Sequence, residues 1–211
     1  MNGGRWAWAE IDLDALDQNI RVLREVVAPA AVWASVKADG YGHGAVAVAA
    51  QVLQSGAAGL CVALTQEGVE LRDAGIEAPI LVLSEQPPEQ LAELVANRLI
   101  PTVYSASYVD SVAAVVPHGG RCDVHVKVDT GMQRVGAQPH EVLALVAHIR
   151  ELAPRVHLAG VFTHLACADD LASPANAAQL DAFADVLAEL DAAGIRPPCT
   201  HAANSAGAFD Q

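Results

Sequence analysis

Basic side chains are scarce in this chain: 12 Lys and Arg stand against 25 Asp and Glu, a formal net charge of -13 over 211 residues. Such a balance repels phosphate backbones and anionic lipid surfaces, which excludes nucleic acid and membranes as expected partners. Long apolar runs are missing too. Charges and glycines interrupt every hydrophobic stretch well before the roughly 18 residues that a membrane helix needs. The start, Met1-Asn2-Gly3-Gly4-Arg5-Trp6, lacks the apolar core of a signal peptide, so a cytoplasmic location is the expectation. Cysteine is confined to Cys61, Cys122, Cys167 and Cys199, with no Cys-x-x-Cys and no histidine at zinc-finger spacing. Those residues are expected to be reduced and mostly buried, with no metal site. No linker rich in Ser, Gly or Pro divides the chain, and 53% hydrophobic content suits one well-buried domain.

What is present is a rhythm of short apolar runs with helical patterns between them. The runs are Ala31 to Val36, Gly59 to Leu64, Pro79 to Leu83, Leu99 to Tyr104, Cys122 to Val128, Leu158 to Thr163 and Cys199 to Asn204. Strands joined by helical crossovers must be parallel, which leaves a doubly wound sheet or a closed barrel. The run Asp123-Val124-His125-Val126-Lys127-Val128-Asp129 favours the barrel. Its valines share a face that can pack against helices, and its charged residues share the other, where a barrel interior near its catalytic end tolerates them. The expected fold is therefore α/β, a (β/α)8 TIM-type barrel that ends before an eighth strand. Trp6-Ala7-Trp8-Ala9-Glu10-Ile11 alternates like a strand and precedes a helix from about Asp14 to Val27, so residues 1–28 form a lead-in to a barrel at 29–211. Ser173-Pro174 and Gly194 punctuate a helix whose apolar stripe is expected to be Leu180, Phe183, Ala184, Leu187 and Leu190, with Asp181, Asp185 and Glu189 on a solvated face.

Residues suited to chemistry cluster at the ends of these runs. Lys37 lies in Val36-Lys37-Ala38-Asp39-Gly40-Tyr41-Gly42-His43-Gly44, where a strand gives way to a glycine-rich turn. On the carboxyl face of a barrel an amine there can form a Schiff base with an aldehyde. His201-Ala202-Ala203-Asn204-Ser205-Ala206-Gly207 follows the seventh run and suits an anion, as loops after late barrel strands often hold phosphate. An aldehyde and a phosphate on one ligand describe pyridoxal phosphate. Arg134 follows the fifth run and could hold a carboxylate or phenolate; His164 follows the sixth.

Five ordered segments carry a family likeness: Ala9-Glu10-Ile11-Asp12-Leu13-Asp14, Val36 to Gly44, Lys127 to Gly136, Phe162 to Ala166, and His201 to Ala206. Together they resemble alanine racemase, a family with a pyridoxal-phosphate barrel of fold-type III followed by a β-rich domain, working as a head-to-tail homodimer. The resemblance covers the amino-terminal barrel, with the β-rich domain not represented. It implies that Lys37 binds the cofactor covalently and is the base on one face of the substrate α-carbon. It implies that Tyr41, Ser205 and the backbone around Asn204 hold the phosphate, and that Leu83 lines the pocket. Arg134 would bond the phenolic oxygen and lie near the substrate carboxylate, His164 would stand beside the second base, and Lys127 matches a lysine often carbamylated. Uncarbamylated, Lys127 would instead pair with Asp129 or another acid.

Two family features have no match. The second base is a tyrosine of the partner subunit's β-rich domain, whereas the tyrosines here are Tyr41, Tyr104 and Tyr108; and no arginine follows Arg196 to meet the pyridine nitrogen. Gln133 stands where many relatives carry a smaller residue. The resemblance implies interconversion of L- and D-alanine for peptidoglycan, with little activity in this stretch alone. The alternatives are a non-catalytic single-domain pyridoxal-phosphate carrier, or a racemase or decarboxylase of another amino acid.

Overall fold

Branched and leucine side chains fill the apolar runs, and in a computed structural model of the chain, which describes residues 8–209, each run contains a strand. In chain order the elements are α1 (Leu13–Val27), β1 (Trp33–Ser35), α2 (Lys37–Gly42), α3 (Ala45–Gln54), β2 (Gly59–Val62), α4 (Thr65–Asp73), β3 (Ile80–Val82), α5 (Leu91–Ala96), β4 (Ile100–Val103), α6 (Ala106–Val115), β5 (Cys122–Lys127), α7 (Val142–Glu151), β6 (Val156–Phe162), α8 (Pro174–Ala192), β7 (Cys199–His201) and α9 (Ser205–Phe209). The seven strands pair in parallel and in sequential order, β1 through β7. A doubly wound sheet would reverse that order partway, so the architecture is the barrel one.

The sheet is strongly curled. In a flat sheet β1 and β5 would lie about 19 Å apart, four spacings of the hydrogen-bonding direction. Here the ring of Trp33 on β1 is 6.0 Å from that of His125 on β5. Helix α9, after β7, also touches α1, so the two ends of the sheet approach each other.

The two faces of β5 divide as its alternation requires. Val124, Val126 and Val128 join the outer core with residues of α6, α7 and α8, such as Val112, Val146 and Phe183. His125 and Lys127 are buried on the inner face. There His125 meets Trp33, Phe162 and His201, and Phe162 stacks on His201 with ring centroids 4.5 Å apart. Gly160 makes room: a Cβ at that position would stand 2.6 Å from the His125 ring. Asp123, at the far end of β5, pairs with Arg121 and His157.

Two sequence expectations need correction. Trp8 to Asp12 form no strand, while Trp6 and Ala7 lie outside the described residues; the chain enters α1 through an Asp12 cap that accepts the Ala15 amide at 2.9 Å. Helix α8 starts at Pro174 and stops before Gly194 as its punctuation implies, but its buried stripe is Gln179, Phe183, Val186 and Leu190, and Leu180 is exposed. The helix is rotated because Gln179, which hydrophobicity alone would turn to solvent, is drawn inward by hydrogen bonds described below. Cys61 and Cys122 are buried, Cys167 and Cys199 are half-buried, and all four are free thiols. Among the described residues no helix is long and apolar enough to cross a membrane.

Candidate active site at the strand ends

Lys37 emerges where β1 ends, after the buried Val36, and the backbone then makes a turn of left-handed helix. Ala38, Asp39, Gly40 and Tyr41 have φ of 51, 54, 61 and 57°. Each non-glycine residue in that region costs roughly 1–2 kcal/mol, so three of them need compensation. Asp39 Oδ1 accepts the Ala45 amide at 2.7 Å, Glu67 Oε1 accepts the Ala38 amide at 2.7 Å, and the Tyr41 hydroxyl meets Ser35 Oγ at 3.1 Å. The turn folds Tyr41 back beside the lysine, whose Nζ lies 5.9 Å from the ring centroid.

Lys127 ends β5 with its Nζ 5.6 Å from the Phe162 ring. Burial, then the Arg134 charge, push its pKa down to about 8, with Asp129 opposing and Lys37 adding to the fall. Burial also lowers His164, assisted in turn by Lys127, Arg134 and Lys37, so its imidazole is neutral at neutral pH. On the inner wall burial pushes the Cys61 thiol up to about 12, with the Lys37 charge pulling against it. Lys37, Lys127, Arg134 and His164 therefore share one electrostatic neighbourhood. Asp129 offsets it only in part: its charge opposes the fall at Lys127, while its Oδ1 accepts the Gly131 and Gln133 amides at 3.0 and 2.9 Å. Among the described residues, no ion pair involves Lys37, Lys127 or Arg134. The chain holds only two lysines, and both are here.

A polar relay fixes the loops that carry these groups. Gln179, 3% exposed, donates from Nε2 to the His164 carbonyl at 3.0 Å and to Thr130 Oγ1 at 3.3 Å, and accepts the Ala166 amide at 2.9 Å. Thr130 Oγ1 meets Thr163 Oγ1 at 2.7 Å, and Thr163 donates to the Val128 carbonyl at 3.0 Å. The loop after β5, with Arg134, and the loop after β6, with His164, are thus tied to one side chain. Leu83 follows β3 and packs with the inner-wall cluster of Cys61, Leu81 and Phe162. Asn204 and Ser205 stand at the same rim after β7, and Asn204 Oδ1 accepts the Gly207 amide at 3.0 Å. Their bonds are local and do not join them to the lysines. Tyr104 is half-buried and Tyr108 is buried with its hydroxyl on the Gln86 amide at 2.9 Å.

Sequence reading passed over Glu67 and Gln179. Glu67 stands three residues after Leu64, the position of an acidic residue that caps a helix start, and Gln179 is a polar residue beside an apolar stripe. Neither signal reveals a long-range partner.

A lysine held charged at neutral pH with a depressed pKa costs stability, and the sign is definite. With a folded pKa near 8 against 10.5 unfolded, the cost is full below pH 8 and vanishes above 10.5. Lys127→Met should therefore raise unfolding free energy at pH 7 by about 1–3 kcal/mol. Urea denaturation at pH 7 and pH 10.5 checks this; a gain equal at both would trace to packing instead.

A family model described as "Alanine racemase, N-terminal domain" matches residues 11–211. The alanine racemase of Symbiobacterium thermophilum is 45% identical over 208 residues, covering 98% of this chain and 55% of the relative. The solved alanine racemase of Clostridium difficile 630 superposes with a TM-score of 0.90 at 37% identity, covering 96% of this chain and 54% of that one. That of Bacillus anthracis, solved with bound L-Ala-P, gives 0.90 at 34% identity, covering 99% and 54%. The chain thus spans about half the length of the relatives it matches. With its sequential parallel strands and a lysine at the end of the first, the chain belongs to the family of alanine racemase N-terminal domains.

Proposed function

We propose that the protein containing this chain is a pyridoxal-phosphate-dependent alanine racemase, a cytoplasmic homodimer that interconverts L- and D-alanine and supplies D-alanine for peptidoglycan. In this reading residues 1–28 lead into the cofactor-binding barrel at 29–211. The observation that carries it is the cluster of Lys37, Lys127 and Arg134, without a carboxylate partner among the described residues, in a chain of net charge -13. Such a cluster suits an anionic ligand, and pyridoxal phosphate with an amino acid brings a phosphate, a phenolate and a carboxylate.

The residues fit that load. Lys37 offers the amine for the aldehyde, and the Tyr41 and Ser205 hydroxyls with the Asn204 backbone offer the phosphate its donors. Leu83 supplies an apolar wall. When bound, the cofactor draws electron density from the substrate α-carbon, so its proton becomes removable near neutral pH. Lys37 Nζ takes or returns that proton on one face. Arg134 orients the carboxylate and the phenolate through charge-assisted bonds. His164, kept neutral, accepts or donates a hydrogen bond without adding a further cation. Lys127, with its pKa near 8, has an appreciable neutral fraction and so is open to carbamylation, which would set an anion beside Arg134. The opposite face needs a second base; Tyr108 is buried against the Gln86 amide and Tyr41 lies against Lys37, and the family resemblance assigns that base to a tyrosine of the partner subunit's β-rich domain.

The test is to supply L-alanine and pyridoxal phosphate to the complete protein and follow the isomers by chiral chromatography. D-alanine should form; carbon dioxide release, or no isomer exchange, would contradict the reading.

A further inference from the structure

Glu67 lies outside the group just described, yet its carboxylate joins the two strand ends that flank Lys37. Oε2 accepts the Ala63 amide at 2.7 Å and the Leu64 amide at 3.1 Å, closing the start of α4, whose cap residue Leu64 has no acceptor of its own. Oε1 reaches across to the Ala38 amide at 2.7 Å. That amide follows Lys37 directly and begins the left-handed turn, so Glu67 holds the backbone at the point where the lysine departs. Other bonds of the turn are made farther along: Gly40 donates to the Val36 carbonyl at 2.9 Å and Gly44 to the Asp39 carbonyl at 2.9 Å. Released from Glu67, the Ala38 amide has no other protein partner among the described residues, and Ala38 loses the bond that offsets its positive φ.

We propose that Glu67 is a positioning residue for the Lys37 amine: it acts through the Ala38 amide to aim the lysine into the barrel mouth, and does not itself exchange protons. A purely local role would make Glu67 a helix cap like Glu141, whose Oε2 accepts the Gln138 amide at 2.9 Å before α7. This inference rests on the reading of Lys37 as the cofactor amine, and the experiment separates the two.

The chain's two lysines provide an internal reference. The purified chain is mixed with pyridoxal phosphate, reduced with borohydride at timed intervals, and the pyridoxyl label on Lys37 and on Lys127 is measured by mass spectrometry. In Glu67→Gln the amide cannot accept all three backbone donors, and its own N–H groups face one of them. The Lys37 to Lys127 labelling ratio should fall by about tenfold, the scale of one hydrogen bond to a charged acceptor. Glu67→Asp, shorter by one methylene but still able to cap α4, should lower the ratio as well and serves if the glutamine variant does not fold. Glu141→Gln should leave it unchanged. A ratio that stays constant in both Glu67 variants reduces the residue to a helix cap and overturns the proposal. Absence of label on Lys37 in the unaltered chain would instead refute the assignment of the cofactor amine; the proposal falls with it.

Discussion

Lys37→Ala should leave the chain unable to retain pyridoxal phosphate through gel filtration, and should lower racemisation by the complete protein by at least about 10²–10⁴-fold, the usual contribution of one acid–base group. On the proposed reading two roles would be lost together, the covalent hold on the cofactor and the proton transfer on one face, so the effect should exceed that of any neighbour. Lys127 does not rescue it. Its amine lies against Phe162 at the end of β5, held by a different strand and loop from the left-handed turn that directs Lys37. The fold should survive, because Lys37 is half-buried, makes no ion pair among the described residues and belongs to no core cluster. An unchanged thermal midpoint with cofactor retention lost is the expected pair of results. Retention undiminished in Lys37→Ala would show the amine to be a bystander.

The second large effect is acid lability. His125 Nδ1 and His201 Nε2 lie 3.1 Å apart inside the barrel, between Trp33 and Phe162. Burial lowers His125 to about 4 despite an opposing pull from Asp123, and burial together with His125 lowers His201 to about 3. Both folded values lie below the unfolded one near 6.5, so the unfolded chain binds more protons as the pH falls. The stability is fully present above pH 6.5 and drains away down to the folded values. Each pH unit in that window costs about 1.4 kcal/mol per histidine, so at pH 5 the loss is about 2 kcal/mol if the pair shares one proton and about 4 if both titrate. That is a large part of the 5–15 kcal/mol typical of a domain. Carboxylates ordinarily titrate lower, and within the interval from pH 6.5 to 5 the buried His164 adds to the response of the pair while burial raises Glu85 toward it. Urea denaturation across it measures the slope, and His201→Gln should cut it by half or more. A slope that His201→Gln leaves intact would place the acid response elsewhere.

Most of the fold is legible in the sequence because its signals are local. The apolar runs mark the strands, and the alternation of valine with His125 and Lys127 on β5 separates the outer core from the barrel interior before any contact is known. The rotation of α8 is not legible in this way. Its apolar stripe points to Leu180, and only the loops after β5 and β6, folded against the helix, offer Gln179 the partners that turn it inward. The candidate site divides along the same line. Lys37, Arg134 and His164 are suggested by their place at strand ends, and Lys127 by the family resemblance. The Glu67 bond to Ala38 spans 29 residues and the His125–His201 contact 76, and no periodicity connects such pairs. The left-handed turn is also hidden, since Ala38 and Tyr41 are residue types that rarely hold positive φ without outside support.

On the proposed reading the Lys37 amine at the end of β1, in a cluster of cations, is the attachment point for pyridoxal phosphate. Saturating the chain with the cofactor, reducing with borohydride, digesting and locating the pyridoxyl group tests it most directly. The label should appear on the peptide containing Lys37 at close to one per chain, and inorganic phosphate should slow its addition by competing for the donors of Tyr41, Asn204 and Ser205. Label confined to Lys127 or the terminal amine, or addition at a rate indifferent to phosphate, would contradict it.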